Sequence, residues 1–455
     1  MRQPDSATAE ARMPPFAQAL RVWTKIGLLS FGGPAGQIAL LHREVVDDRN
    51  WVSDRRFLHA LSFCNLLPGP EAMQLATYLG WLMHGVKGGV AAGVIFVLPG
   101  AVVMLGLSLI YALVGHVPAI DALFFGLKCA VLVLVVEALL RIGRRALKGR
   151  AAWILAGGAF VALFFFKVPF PTVMLTAGAI GYALPEFFSH GGHGQAKHDR
   201  PALLDAVLAA DPARPARLAA AARRAGFIAL ALWLLPVVAL MALAGGNTFA
   251  DIAWFFSKMA VVTIGGAYAV LAYVAQDAVE AYHWLSPQEM LTGLGLAETT
   301  PGPLILVLQF VGFLAGYRSP GPVSGTTGGI AGSVLTLWVT FAPCFTFVFL
   351  GAPFIERLQS NRSLSGALAA ITAGVVGVVG NLAVWFALQV IFRDHEALRA
   401  GPLAIVVPVP GSVDLAALGL AVLAGICLFG LKRGVLQTLG ITAAAGLILR
   451  LAINM

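Results

Sequence analysis

The chain has 455 residues, 59% of them hydrophobic and 12% charged, with a formal net charge of +9. A soluble globular domain carries about 25% charged residues, so this chain cannot clothe a soluble surface and reads as an all-α polytopic membrane protein. Its basic residues gather in loops, the positive-inside pattern, so the net charge does not argue for a nucleic-acid partner.

Residues 1–15 are polar, contain Pro14 and Pro15 and lack the apolar core of a signal peptide, so they are expected to form a cytoplasmic tail. A first repeat is expected over 16–185. It opens with an amphipathic helix that carries Lys25 and breaks at Gly32–Gly33 in "SFGGPAGQ". A polar connector, 42–56, leads to a short apolar segment interrupted by Pro68–Gly69–Pro70 in "LLPGPEAMQL". Proline removes a backbone donor and clashes with the preceding turn, so no ordinary helix passes through this triplet. Val86–Val114 and Ala119–Ile142 are long enough to cross a hydrocarbon core of about 30 Å. The basic loop "RIGRRALKGR" follows, then two short apolar segments, 151–166 and 168–184, expected to go out and return.

Residues 186–225 are Ala-rich, polar and basic and read as a cytoplasmic linker. His190, His193 and His198 lie there without metal-ligand spacing, and a solvated loop is the simpler reading. The second repeat, 226–455, holds the apolar stretches Gly226–Ala244, Gly329–Leu350, Leu364–Phe392, Val413–Leu431 and Gly434–Leu451. Cys64, Cys129, Cys344 and Cys427 are scattered and form neither a disulfide framework nor a metal motif.

The halves match in one ungapped register. Lys25 meets Lys258, Gly32–Gly33 meets Gly265–Gly266, Trp51 meets Trp284, and Pro68–Gly69–Pro70 meets Pro301–Gly302–Pro303. Gly-Gly, Trp and Pro-Gly-Pro do not coincide by composition, so the chain is an internal duplication. Connector 42–56 carries four arginines, whereas 275–289 carries no Lys or Arg. By the positive-inside rule the repeats should therefore be inverted in topology, with broken or re-entrant helices at both motifs. Whether the broken segments re-enter or span stays open at this stage.

Irregular backbone at membrane depth belongs in a protein-lined cavity, and discontinuous helices in matched positions of two halves point to a transport site. Pro70 and Pro303 should open the helices after the breaks, whose free amides favour anions. The substrate-binding candidates are accordingly Lys25, Gly32, Gly33, Asn65, Pro68, Gly69, Pro70, Gln74, Lys258, Gly265, Gly266, Thr299, Thr300, Pro301, Gly302 and Pro303. Glu71 and Glu298 are candidates for proton coupling, since a carboxylate meets an oxyanion only when protonated. Simpler readings stand beside these: a lysine near a helix end can snorkel, Glu71 can cap a helix, and Glu137 can pair with Arg141 one turn away.

The elements "FGGPAGQIALLHREVV", "LLPGPEAMQLATYLG" and "TPGPLILVLQFVGFLAG", in this order, resemble the two-domain chromate transporters of the CHR family. The resemblance implies a multi-pass protein of the bacterial inner membrane. It further implies export of chromate from the cytoplasm, driven by the proton or electrical gradient. Members often carry Asn or Ser where this chain has Glu71, and Gln where it has Glu298, which leaves the substrate preference and coupling of this chain open. Sulfate has chromate's shape and charge and is a second expected substrate. The expected partners are a small oxyanion and the lipid bilayer, with no nucleic acid; a homodimer is allowed. An enzyme would need a nucleophile–base pair or a metal cluster near the breaks. His42, His59 and His84 lie in the first repeat without counterparts in the second, and the internal symmetry favours transport, so neither cofactor nor enzyme activity is expected. A passive channel or transporter for another anion, and a membrane enzyme acting on lipid phosphate, are the alternatives.

Overall fold

The computed structural model describes residues 13–453 except 116, 189–201, 212, 263–266, 321–322, 353–360 and 401–402. Helix α1, Phe16–Leu29, buries Ala19, Val22, Trp23 and Ile26, the spacing of an amphipathic helix with one face on a core. It stops where Gly32 adopts a φ of 86°, a backbone region open to glycine, and α2, Gly33–His42, starts anew. After a π-helical turn at Arg43–Asp47, α3, Asp54–Cys64, begins at a Ser53 cap whose hydroxyl accepts the Arg56 N–H.

The Pro-Gly-Pro triplet ends α3, with Gly69 at φ 122°. Helix α4, Glu71–Val114, is continuous in name only: His84 and Gly85 leave helical geometry, and its arms fold back on each other. Gly80 and Gly88 make that possible, since a Cβ on Gly80 would lie 2.5 Å from the Gly88 carbonyl oxygen. The arms beside the first triplet also lie together, with the Phe63 and Tyr78 rings 5.3 Å apart. In the second half, α10 (Thr248–Val262), α11 (Ala267–Gln276), α12 (Pro287–Thr299) and α13 (Val307–Tyr317) repeat this order. A Cβ on Gly293 of α12 would fall 2.5 Å from the Phe310 ring of α13, so these arms are paired as well. The expected helix starts shift by one place. Pro70 and Pro303 precede the first helical residue rather than opening the helix, because both have extended ψ, and a 3₁₀ turn at Leu304–Leu306 intervenes before α13.

Intervening helices are α5 (Pro118–Ala146), α6 (Arg150–Phe164), α7 (Phe170–Ala183), α8 (Leu203–Ala210) and α9 (Arg214–Leu243). The chain closes with α14 (Gly325–Gly351), α15 (Arg362–Ile391), α16 (Leu415–Gly425) and α17 (Val435–Ile453). Among the described residues six helices are long and apolar enough to cross a membrane. The stretch expected as a span over 413–431 is shorter, α16 continued by a π-helical turn to Gly430. The helical expectation also omits a β-hairpin, β1 (His395–Ala400) paired antiparallel with β2 (Leu403–Pro408), built from the β-branched run "AIVVP".

The linker is more ordered than a loose tether. Leu203 and Leu204 of α8 donate backbone bonds to Asn50 and Trp51, and Asp205 pairs with Arg56 at 2.8 Å. Arg214 donates to the Met83 carbonyl, so connector 42–56, the linker and the turn at 84–85 share one face. At the far end of α4, Tyr111 donates to Glu289 of the other connector, and Arg318 bonds the same carboxylate. The histidines of the linker lie outside the described residues.

Candidate functional site

The breaks of one half pack against the other half. Gly302 donates its N–H to the Ser30 carbonyl at 2.8 Å, and Gln37 Nε2 donates to the Gly302 carbonyl at 2.5 Å. Gly100 of α4 backs the same triplet so closely that a Cβ there would sit 1.9 Å from the Pro301 oxygen. On the other side, a Cβ on Gly69 would meet Cys344 Sγ of α14 at 3.0 Å. Only glycine permits the approach of backbone to backbone at Gly100.

Beside the first triplet lies a cavity of about 550 Å³. Its walls come from α2, α3, α5 and α11, and its polar lining includes Asn65, Glu71, Arg141, Arg145, His42 and Tyr268. Arg141 pairs with Glu137 at 2.7 Å, the one-turn pair expected from the sequence. The Tyr268 hydroxyl donates to the buried carboxylate of Glu298 at 3.0 Å. Two arginines, an amide and the Glu71 carboxyl thus converge on one cavity next to an unwound backbone. That combination suits a small anion whose charge must be offset away from bulk water.

The structure sorts the sequence candidates. Asn65, at the C-terminus of α3, and Glu71, at the start of α4, face the cavity. Pro68, Gly69 and Pro70 lie between them, whereas Gln74 is buried and turns its amide back to the Pro68 carbonyl at 2.6 Å. Lys25 is engaged elsewhere: its Nζ lies 2.6 Å from Glu44, which Arg49 also bonds. Burial pushes the Glu44 carboxyl up, but these two cations outweigh it and hold it below the usual carboxylate range. Lys258 sits over the Phe255 and Tyr273 rings, 5.9 and 5.6 Å from their centroids. Gly32 and Gly33 form the break that docks the second triplet, and Gly265 and Gly266 lie outside the described residues. Pro301, Gly302 and Pro303 are buried, and the Thr299 and Thr300 hydroxyls donate to the Leu296 carbonyl. The second break is therefore packed shut, while the first borders the cavity.

Sequence reasoning missed Arg145 and Tyr268 and gave Arg141 only a pairing role. The signal was available for α5: Glu137, Arg141 and Arg145 recur at four-residue spacing, one face of a helix. Nothing in the sequence near Tyr268 ties it to Glu298. Among the described residues no cluster of metal-binding side chains occurs.

The chain is similar over most of its length to proteins of known name. It is 35% identical over 379 residues to a chromate transport protein of Pseudomonas aeruginosa, covering 82% of each chain. It is 24% identical over 392 residues to a probable chromate transport protein of Synechococcus elongatus, covering 86% of this chain and 88% of that one. A chromate transport protein of Cupriavidus metallidurans is 23% identical over 387 residues, covering 84% of this chain and 85% of its own. No solved structure matches. The model of the chromate transporter family matches twice, at residues 17–182 and 250–449, once around each set of broken helices, and the chain belongs to that family.

Proposed function

We propose that the chain exports chromate from the cytoplasm as a secondary transporter, with sulfate as a competing substrate. The observation that carries this reading is the cavity in which Arg141, Arg145 and Asn65 meet beside the first Pro-Gly-Pro break. A tetrahedral dianion needs several convergent donors, and guanidinium groups supply them in a planar fork. The first connector lies with the turn at 84–85 and the second with Tyr111, at opposite ends of the later arm of α4, which supports an inverted relation between the halves. The cavity shares its mouth with the basic loop after α5, so the positive-inside rule turns it toward the cytoplasm. Its counterpart beside Ala272 and Trp385 has a volume of only about 30 Å³, which fits a state open on one side. The export step is then an exchange of these openings, driven by a membrane potential that expels anions or by protons carried on Glu71 and Glu298. Inside-out vesicles test this. Labelled chromate should accumulate under an imposed potential or pH gradient, and excess sulfate should reduce it. Flux that never exceeds the electrochemical gradient of chromate, the potential included, would make the protein a channel.

A further inference from the structure

We propose that Arg141 is the principal anion-binding cation, that Glu137 is its partner until an anion binds, and that the chain has one such site although its halves are duplicated. This rests on the reading of the cavity as the oxyanion site.

Arg141 Nη2 donates to Glu137 Oε2 at 2.7 Å, while its Nε is buried with no hydrogen-bond partner. A guanidinium has five donors, and this one is incompletely used where it borders the cavity. With Glu137 neutralising Arg141, the cavity wall offers Arg145 against Glu71, no net attraction for a dianion. A dianion therefore gains hold when Arg141 exchanges the Glu137 carboxylate for oxyanion oxygens, with Arg145 and the Asn65 amide as further donors. The exchange conserves one charge-assisted contact on Arg141 throughout, which avoids leaving a desolvated cation bare.

The second half shows why the site is single. Asn381, Trp385 and Gln389 of α15 follow Pro343 at the intervals by which Glu137, Arg141 and Arg145 of α5 follow Pro99. All three ionic positions are uncharged there. Asn381 and Trp385 line the small second cavity together with Ala272 and Ala275; its only charged lining among the described residues is Lys167 and Glu280, which pair with each other at 3.8 Å, and no arginine lines it. Duplication has therefore left one charged vestibule and one uncharged helix face.

The test is equilibrium binding of chromate, and separately sulfate, to the purified full-length protein in lipid nanodiscs. The wild type should bind one ion per chain. Glu137→Gln frees Arg141 and should tighten binding several-fold, while Arg141→Gln should weaken it by at least about tenfold, the scale of a lost charge-assisted contact. Arg141→Lys keeps the charge, guards against misfolding and should fall between. The double variant should bind as weakly as Arg141→Gln, because Glu137 acts only through Arg141. Unchanged affinity in Arg141→Gln, weaker binding in Glu137→Gln, or two ions per chain would overturn the proposal. Absence of binding by the wild type would instead remove the oxyanion reading of the cavity.

Discussion

At the scale of single residues, Lys25 shows how a position can be conspicuous in sequence for more than one reason. A lone lysine in an apolar helix attracts a substrate-binding role, yet its ammonium is joined to Glu44, whose side chain is fully buried. The register partner of Glu44 is Asp277, whose charge bears on Lys258, so the arrangement is repeated in kind. Breaking a fully buried pair costs roughly 3–5 kcal/mol, and a half-exposed Lys25 places this one below that. Lys25→Gln is expected to reduce chromate transport severalfold by leaving Glu44 with Arg49 alone, and Lys25→Gln with Glu44→Gln should restore most of it. Transport assays on membrane-inserted protein decide this: a double variant as defective as the single one would return Lys25 to the substrate path.

At the scale of elements, the linker helix α8 matters because it joins the two halves on the face bearing connector 42–56. Its docking depends on Asp205. Burial raises that carboxyl, but hydrogen bonds from Ser53 and Arg56 outweigh it and hold it below the usual range. A depressed carboxylate contributes stability above its unfolded value and loses it as pH falls through the folded one. Docking should therefore be constant from neutral pH down to about 5 and loosen below about 4. Hydrogen exchange over 203–210 should show that loosening, and Asp205→Asn should show it already at neutral pH. Equal protection in the variant would assign the docking to the backbone bonds of Leu203 and Leu204 instead.

At the scale of the whole molecule, the crossed packing of the breaks decides which of them meets water. The second triplet is covered by Ser30, Gln37 and Gly100. The first triplet is flanked by Asn65 and Glu71 on the open cavity. All four native cysteines are buried, so an introduced thiol can report access against a low background. Asn65→Cys should react with a membrane-impermeant maleimide in inside-out vesicles and stay unlabelled from the opposite side. Labelling from the opposite side alone would reverse the assigned orientation.

The sequence by itself determined the class, the duplication and the places where helices break. Apolar length, Gly-Gly and Pro-Gly-Pro act locally, through hydropathy and backbone sterics, and need no partner to be read. The expected long spans over 86–114 and 119–142 fall within α4 and α5, and that over 364–392 ends one residue past α15, for that reason. Tertiary structure alone decided that α8 docks on a connector, that Lys25 belongs to Glu44, and that Tyr268 reaches Glu298. It also decided that matched breaks have unmatched surroundings. Those outcomes depend on contacts between residues far apart in the chain, and two identical triplets carry no local mark of which one the other half will cover.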